Sequence, residues 1–213
     1  MAIKQTLNIV RGKTLQLVIR WETTPVVSKA ITGISTATGF PRLTVTSHGA
    51  PNGWRGYVVG VESPKQINSE NVPPRSSDYR EVTVIDANTI EFNGLVPVDD
   101  NNRSWAAYTS GGFFQYNTPQ SLANKTLRVK VKDKVGGTVL LSTEVGDTPL
   151  DLITATADDA NKAITIVIAA TATEDLTWTK GVWEVEAEDG VSGVVDSIIA
   201  PSPVVVGDEV VTP

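Results

Sequence analysis

The residues best suited to chemistry cluster in "TVTSHGAPNGWRGYVVGV", Thr44 to Val61. It contains His48, the only histidine in the chain. Ser47 or Ser110, with Asp78 or Asp86, could complete a Ser-His-Asp relay, which needs nucleophile, base and orienting acid in one hydrogen-bonded line. No spacing selects one such set, and no G-x-S-x-G elbow is present. His48 instead follows the strand-like "LTVTS" and precedes Gly49 and the Asn52-Gly53 turn. Glycine there permits a positive φ, and an imidazole can bond backbone groups that a turn leaves unpaired. His48, Gly49, Asn52 and Gly53 are therefore read as a structural turn.

Metal and cofactor chemistry have little to work with. The chain has no cysteine, which removes thiolate sites, disulfides and cysteine nucleophiles. The adjacent acids Asp99-Asp100 and Asp158-Asp159 could offer oxygens to calcium, but they lack the D-x-D-x-D-G spacing and read as solvated loop tips. No catalytic residue, metal ligand or cofactor is assigned, and an enzyme is not expected. A formal charge of −6 on 213 residues argues against a phosphate-binding surface, so no nucleic acid partner is expected. No apolar run reaches about 18 residues and no signal-peptide core follows Met1, so neither a membrane partner nor export is expected.

The elements that carry these residues have period two. "KTLRVKVKD" sets Leu127, Val129 and Val131 against Arg128, Lys130 and Lys132, and "GVWEVEAEDG" sets Trp183, Val185 and Ala187 against Glu184, Glu186 and Glu188. Both predict half-buried strands. "AITIVIAA" predicts a strand covered on both faces. One short helical turn is predicted at Thr173 to Leu176, with Thr173 as its cap. Turn signals at "DKVGGT", "EDGVSG" and "DDNN" complete an all-β pattern of sandwich or barrel type.

Four segments in order carry a resemblance. "LNIVRGKTLQLVIRWE", "SLANKTLRVKVKDKVGGTVLLSTEVG", "KAITIVIAATATEDLTWTKGVWEVEAEDG" and "VVDSIIAPSPVVVGDEVVTP" resemble the immunoglobulin-like domains of tailed-phage tail and baseplate proteins. They cover 1–30 and about 118–213. Between them, Ile31 to Ile34, Val45-Thr46, His48-Gly49, Asn52-Gly53, Asn68, "DANTIEF" and "YTSGG" resemble a small β-barrel module of phage tail proteins, likened to a domain of the ubiquitin-activating enzyme. The connection "SENVPPRSSDYRE" is longer than the module's, and Trp54 and Arg55 replace its usual small or acidic residues. The resemblance implies a discontinuous immunoglobulin-like β-sandwich, 1–30 and 118–213, with a small β-barrel at 31–117 inserted. "TTPVVSK" and "QYNTPQSLANK" read as linkers, and insertion into a loop costs little closure entropy.

The resemblance also implies a structural component of a tailed-phage virion, made in the host cytoplasm and sited in the tail, baseplate or fibre-attachment apparatus. Its partners would be other virion proteins, in a symmetric homo-oligomer or multicopy ring held by multivalent docking. A capsid decoration or head-fibre protein is one alternative, and a carbohydrate-binding module is another. Two surfaces offer docking. Arg128, Lys130 and Lys132 form a basic strand face that could meet the Glu184, Glu186 and Glu188 stripe of a neighbouring copy. Trp54 and Trp105 stand beside turn residues and are candidate exposed rings for protein or glycan. The weakly charged "GGTVLL", "GVVDSII" and "SPVVVGDEVV" read as edges able to pair with another copy.

Overall fold

Alternating apolar residues become strands, and the glycines and prolines between them become turns, in a computed structural model that describes residues 3–37, 39–98, 102–147 and 152–208. The strands are β1 (Leu7–Val10), β2 (Leu15–Arg20), β3 (Glu22–Ala30), β4 (Gly33–Ser35), β5 (Arg42–Thr44), β6 (Arg55–Val61), β7 (Arg80–Asp86), β8 (Thr89–Phe92), β9 (Gly111–Pro119), β10 (Lys125–Lys132), β11 (Val139–Ser142), β12 (Ile153–Asp158), β13 (Ala163–Ile168), β14 (Lys180–Asp189) and β15 (Val195–Gly207). A single α-helical turn, α1 (Ala170–Glu174), separates β13 from β14. The protein is all-β.

The chain divides into two compact units, Met1–Trp21 with Ser121–Pro213, and Glu22–Gln120. The first is a β-sandwich of a five-stranded sheet, β1-β15-β14-β10-β11, and a three-stranded sheet, β12-β13-β2. β1 runs parallel to β15, and the other pairings are antiparallel. With the inserted unit set aside, this is the Greek-key order of an immunoglobulin-like sandwich. Its core interleaves Val129, Val131, Trp183, Val185 and Ala187 of one sheet with Ile19, Ile153, Ile164, Ile166 and Ile168 of the other. The Trp183 indole is fully buried, and its N–H donates to the Gln5 carbonyl at 2.7 Å, as a buried ring N–H requires.

The second unit is one seven-stranded sheet in the order β3-β9-β6-β7-β8-β5-β4. Its first and last strands are consecutive in the chain. The residues between them, Ile31 and Thr32, donate to Gly112 of β9 at 3.0 Å and Thr44 of β5 at 2.9 Å, so one segment bonds to the strands next to either end of the hydrogen-bonded order. Leu43, Val58, Val82, Ile90, Phe92 and Phe114 fill its core. Gly56 lies against the Phe114 ring and the Gln115 carbonyl, where a Cβ would collide. That contact lets β6 press onto the core.

Three expectations change. The second unit begins at Glu22 and ends at Gln120, because the segments read as linkers are β3 and the end of β9. They pair from Glu22↔Pro119 to Ala30↔Phe113, with an irregularity between Thr23 and Val26 that accommodates Pro25. The helical turn starts three residues early, and Thr173 lies within it. Its hydroxyl lies 2.9 Å from the carbonyls of both Lys13 and Ala170 and shares its one hydrogen between them, while the cap position is Ala169. β13 is buried at Ile164, Ile166 and Ile168 but only half-buried at Thr165 and Val167, so it is fully covered on one face.

Candidate functional site

His48 is buried and spends both ring nitrogens on the backbone. Nδ1 accepts from the Ala50 amide at 3.1 Å, so Nε2 carries the hydrogen and donates to the Asp86 carbonyl at 2.8 Å. Its own carbonyl accepts from the Tyr116 hydroxyl at 2.5 Å, and burial pushes the Tyr116 phenol above its ordinary pKa. Gly49 and Gly53 have φ of 69° and 70°. Asn52 Oδ1 accepts from the Val84 amide at 3.0 Å, and the Gly53 amide donates to the Val82 carbonyl at 2.9 Å. The four turn residues thus bind the 48–53 corner to β7 and the turn after it. The candidate relay partners are occupied elsewhere. Asp86 Oδ1 accepts from the Asn88 amide at 2.7 Å, and Asp78 accepts from Arg75, Asn71 and Glu70.

The basic and acidic stripes belong to neighbouring strands of one sheet. β10 pairs antiparallel with β14, placing Arg128 opposite Glu186 and Lys130 opposite Glu184. Arg128 pairs with Glu188 and, at 3.1 Å, with Glu144. Lys130 pairs with Glu144 and, at 3.0 Å, with Asp147, and Lys132 approaches Glu184 at 3.8 Å. The hydrogen bond from Lys130 to Glu144 raises the lysine pKa, while bonds from Ser142 and then Lys130 hold Asp147 low. The stripe expected to meet an acidic face on another copy is therefore matched within its own chain. Two wet faces of opposite sign and equal period stabilise each other when their strands are adjacent.

Trp54 and Trp105 are core residues and not surface rings. Trp54 is fully buried and donates from Nε1 to the Asn117 carbonyl at 3.0 Å. Trp105 is 8% exposed and donates to the Val98 carbonyl at 3.0 Å. Backbone carbonyls satisfy the indole N–H groups, which lets the rings be buried despite the turns beside them. A partly buried aromatic pair lies elsewhere, with Tyr57 buried and Tyr79 half-buried. Arg55, paired with Glu22 at 2.6 Å, sits 5.5 Å from the Tyr79 ring, and Tyr79 packs edge-on against Tyr57 at 5.0 Å. The hydrogen bond that Arg55 donates to Glu22 raises the Arg55 pKa.

Asp159 is a clamp. Its Oδ1 accepts from Lys162 at 2.6 Å, from the Leu122 and Ala123 amides at 2.5 and 3.0 Å, and from the Ser121 hydroxyl at 3.0 Å. The Lys162 ammonium first, and the Leu122 amide second, hold its pKa down at about 2. It fastens the segment by which the chain re-enters the sandwich. Asp99 and Asp100 lie outside the described residues. Among the described residues, no three His, Cys, Asp or Glu side chains are grouped to hold a metal. β11 is an edge, as "GGTVLL" suggests, but β15 is not. It pairs with β14 on one side and with Ile3 and β1 on the other, because the N-terminal segment runs alongside it.

A polar cavity of about 280 Å³ escaped sequence reasoning. Gln66, Glu70, Asp78 and Arg80 line it, together with Leu95 and the nearly fully buried Ile67 and Phe92. The long connection "SENVPPRSSDYRE" supplies Glu70 and Asp78, so its excess length was the available signal. No known family model matches the chain, and no curated protein matches it.

Proposed function

We propose that the chain is a structural component of a tailed-phage virion, in the tail, baseplate or fibre-attachment apparatus, acting by multivalent protein–protein docking. One observation carries this reading. A separately organised seven-stranded unit sits in the connection between β2 and β10 of an immunoglobulin-like sandwich, the arrangement that the resemblance of the two sequence blocks implies. On this reading the second unit is the inserted small barrel, closed through Ile31 and Thr32. Modest contacts become a stable assembly when ring symmetry repeats them. Quantitative mass spectrometry of purified particles tests it. The chain should be present at a fixed ratio to the major capsid protein, and a chain found only in the lysate would contradict the proposal. A decoration role on the capsid would give a copy number per particle near the number of capsomers.

A second reading, a saccharide-binding module, is favoured by the polar cavity. Its carboxylate, amide and guanidinium groups match the hydroxyls of one sugar ring. Titration with neutral hexoses, followed by amide NMR shifts at Gln66, Glu70 and Arg80, separates the two readings.

A further inference from the structure

Four strands end the sheets of the sandwich, and three of them are poor templates for another strand. β1 and β11 have four residues each, and the register of β11 against β10 breaks at Val131/Lys132. β12 turns Thr154, Thr156 and Asp158 outward and so closes on an acid. β2 matches β12 in length, in lacking proline and in an unbroken register against β13, from Ile168↔Leu15 to Ala163↔Arg20, but it presents an apolar side chain outward where β12 presents threonines. Among the described residues, no strand lies on its other side. Val18, pointing outward from it, is 46% exposed. Its inward residues Leu15 and Leu17 are only half-buried, whereas Ile164, Ile166 and Ile168 of β13 are fully buried. The core is therefore only partly covered at Leu15 and Leu17, while Ile19 is buried, beside a row of backbone groups that a further strand would pair.

We propose that β2 is a docking edge and that its occupant is the β2 of a second copy, added antiparallel about a two-fold axis at Val18. In that register Val18 faces Val18, Leu17 faces Ile19 and Gln16 faces Arg20. Side-chain parity is kept, the apolar layer continues across the junction, and no like charges oppose. The shared edge is about 20 Å long at the usual rise per residue. Two three-stranded sheets become one six-stranded sheet, and the half-buried leucines gain cover. Pairing β2 with β12 of another copy would instead set Val18 among threonines and propagate without closing. The inference concerns the sandwich alone and does not depend on the virion reading.

Sedimentation velocity of the full chain over rising concentration tests it. The wild type should form a closed dimer. Val18→Lys and Val18→Glu each set like charges face to face across the axis, and each should raise the dimer dissociation constant at least about tenfold. Melting temperatures should be unchanged at concentrations low enough that wild type and variants are all monomeric, since Val18 is an exposed side chain in the monomer. An equal mixture of the two variants should dimerise again, because lysine then faces glutamate. A wild type that stays monomeric, one that grows open-ended oligomers, or a Val18→Lys dimer as tight as wild type would each overturn the proposal.

Discussion

Replacing Arg128, Lys130 and Lys132 together with glutamate should destabilise the sandwich itself. The three cations make five ion-pair contacts with Glu144, Asp147, Glu184 and Glu188. At about 0.5 kcal/mol for each partly exposed contact, their loss removes about 2.5 kcal/mol. Reversal also sets like charges opposite one another across β10 and β14, at a similar cost. The total, about 5 kcal/mol, equals the lower end of the stability of an ordinary domain. Hydrogen exchange followed by mass spectrometry reads the two units separately. Protection should fall in peptides covering β10 and β14 and hold in those covering β6 and β9. Adding Glu184→Lys and Glu188→Lys to the same chain should recover part of the loss. Wild-type protection of β10 and β14 in the triple variant would refute the internal charge ladder and return the basic face to the list of docking surfaces.

Other outcomes follow from the same geometry. His48→Ala strands the Ala50 amide and the Asp86 carbonyl and should cost about 2–4 kcal/mol in chemical denaturation, while a cost under about 0.5 kcal/mol would mean that the ring does not hold the corner. Trp54→Ala should cost about 3–5 kcal/mol and lower exchange protection in the second unit alone, whereas equal losses in both units would contradict their separation. Asp159 has a folded pKa near 2, below its unfolded value of about 3.9, so its contribution is present above pH 4 and is lost as pH falls toward 2. An acid titration monitored by circular dichroism should show Asp159→Asn with a flatter stability profile across that window. Residues 22–120 expressed alone should give dispersed amide NMR signals, and 31–117, which lacks β3, should be markedly less stable.

The alternation of β10 and β14 was legible because each strand has one wet and one buried face, and period two reports that directly. Their adjacency was not legible, although matched opposite charges on two strands of equal period hint at it. The ends of the second unit were misread for a physical reason. β3 holds Pro25, Thr23 and Thr24, a linker-like composition, yet the strand irregularity absorbs the proline while the flanking residues pair with β9. Trp54 and Trp105 misled because a turn residue beside an indole suggests exposure, while the carbonyls that satisfy the indoles come from Asn117, distant in sequence, and from Val98. His48 was readable as a corner from Gly49 and Asn52-Gly53, but the Asp86 and Tyr116 groups that hold it come from 38 and 68 residues away. β15 resembled an edge because its apolar run looks the same whether its second partner is solvent or the N-terminal segment.

On the proposed virion reading, cryo-electron microscopy of purified tailed-phage particles that contain the chain's gene in their genome tests the central claim most directly. The account predicts density for the sandwich, with its inserted seven-stranded unit, repeated in a symmetric ring on the tail, baseplate or fibre-attachment apparatus. Particles whose every ring is filled by other chains, with no density for this fold, would contradict it.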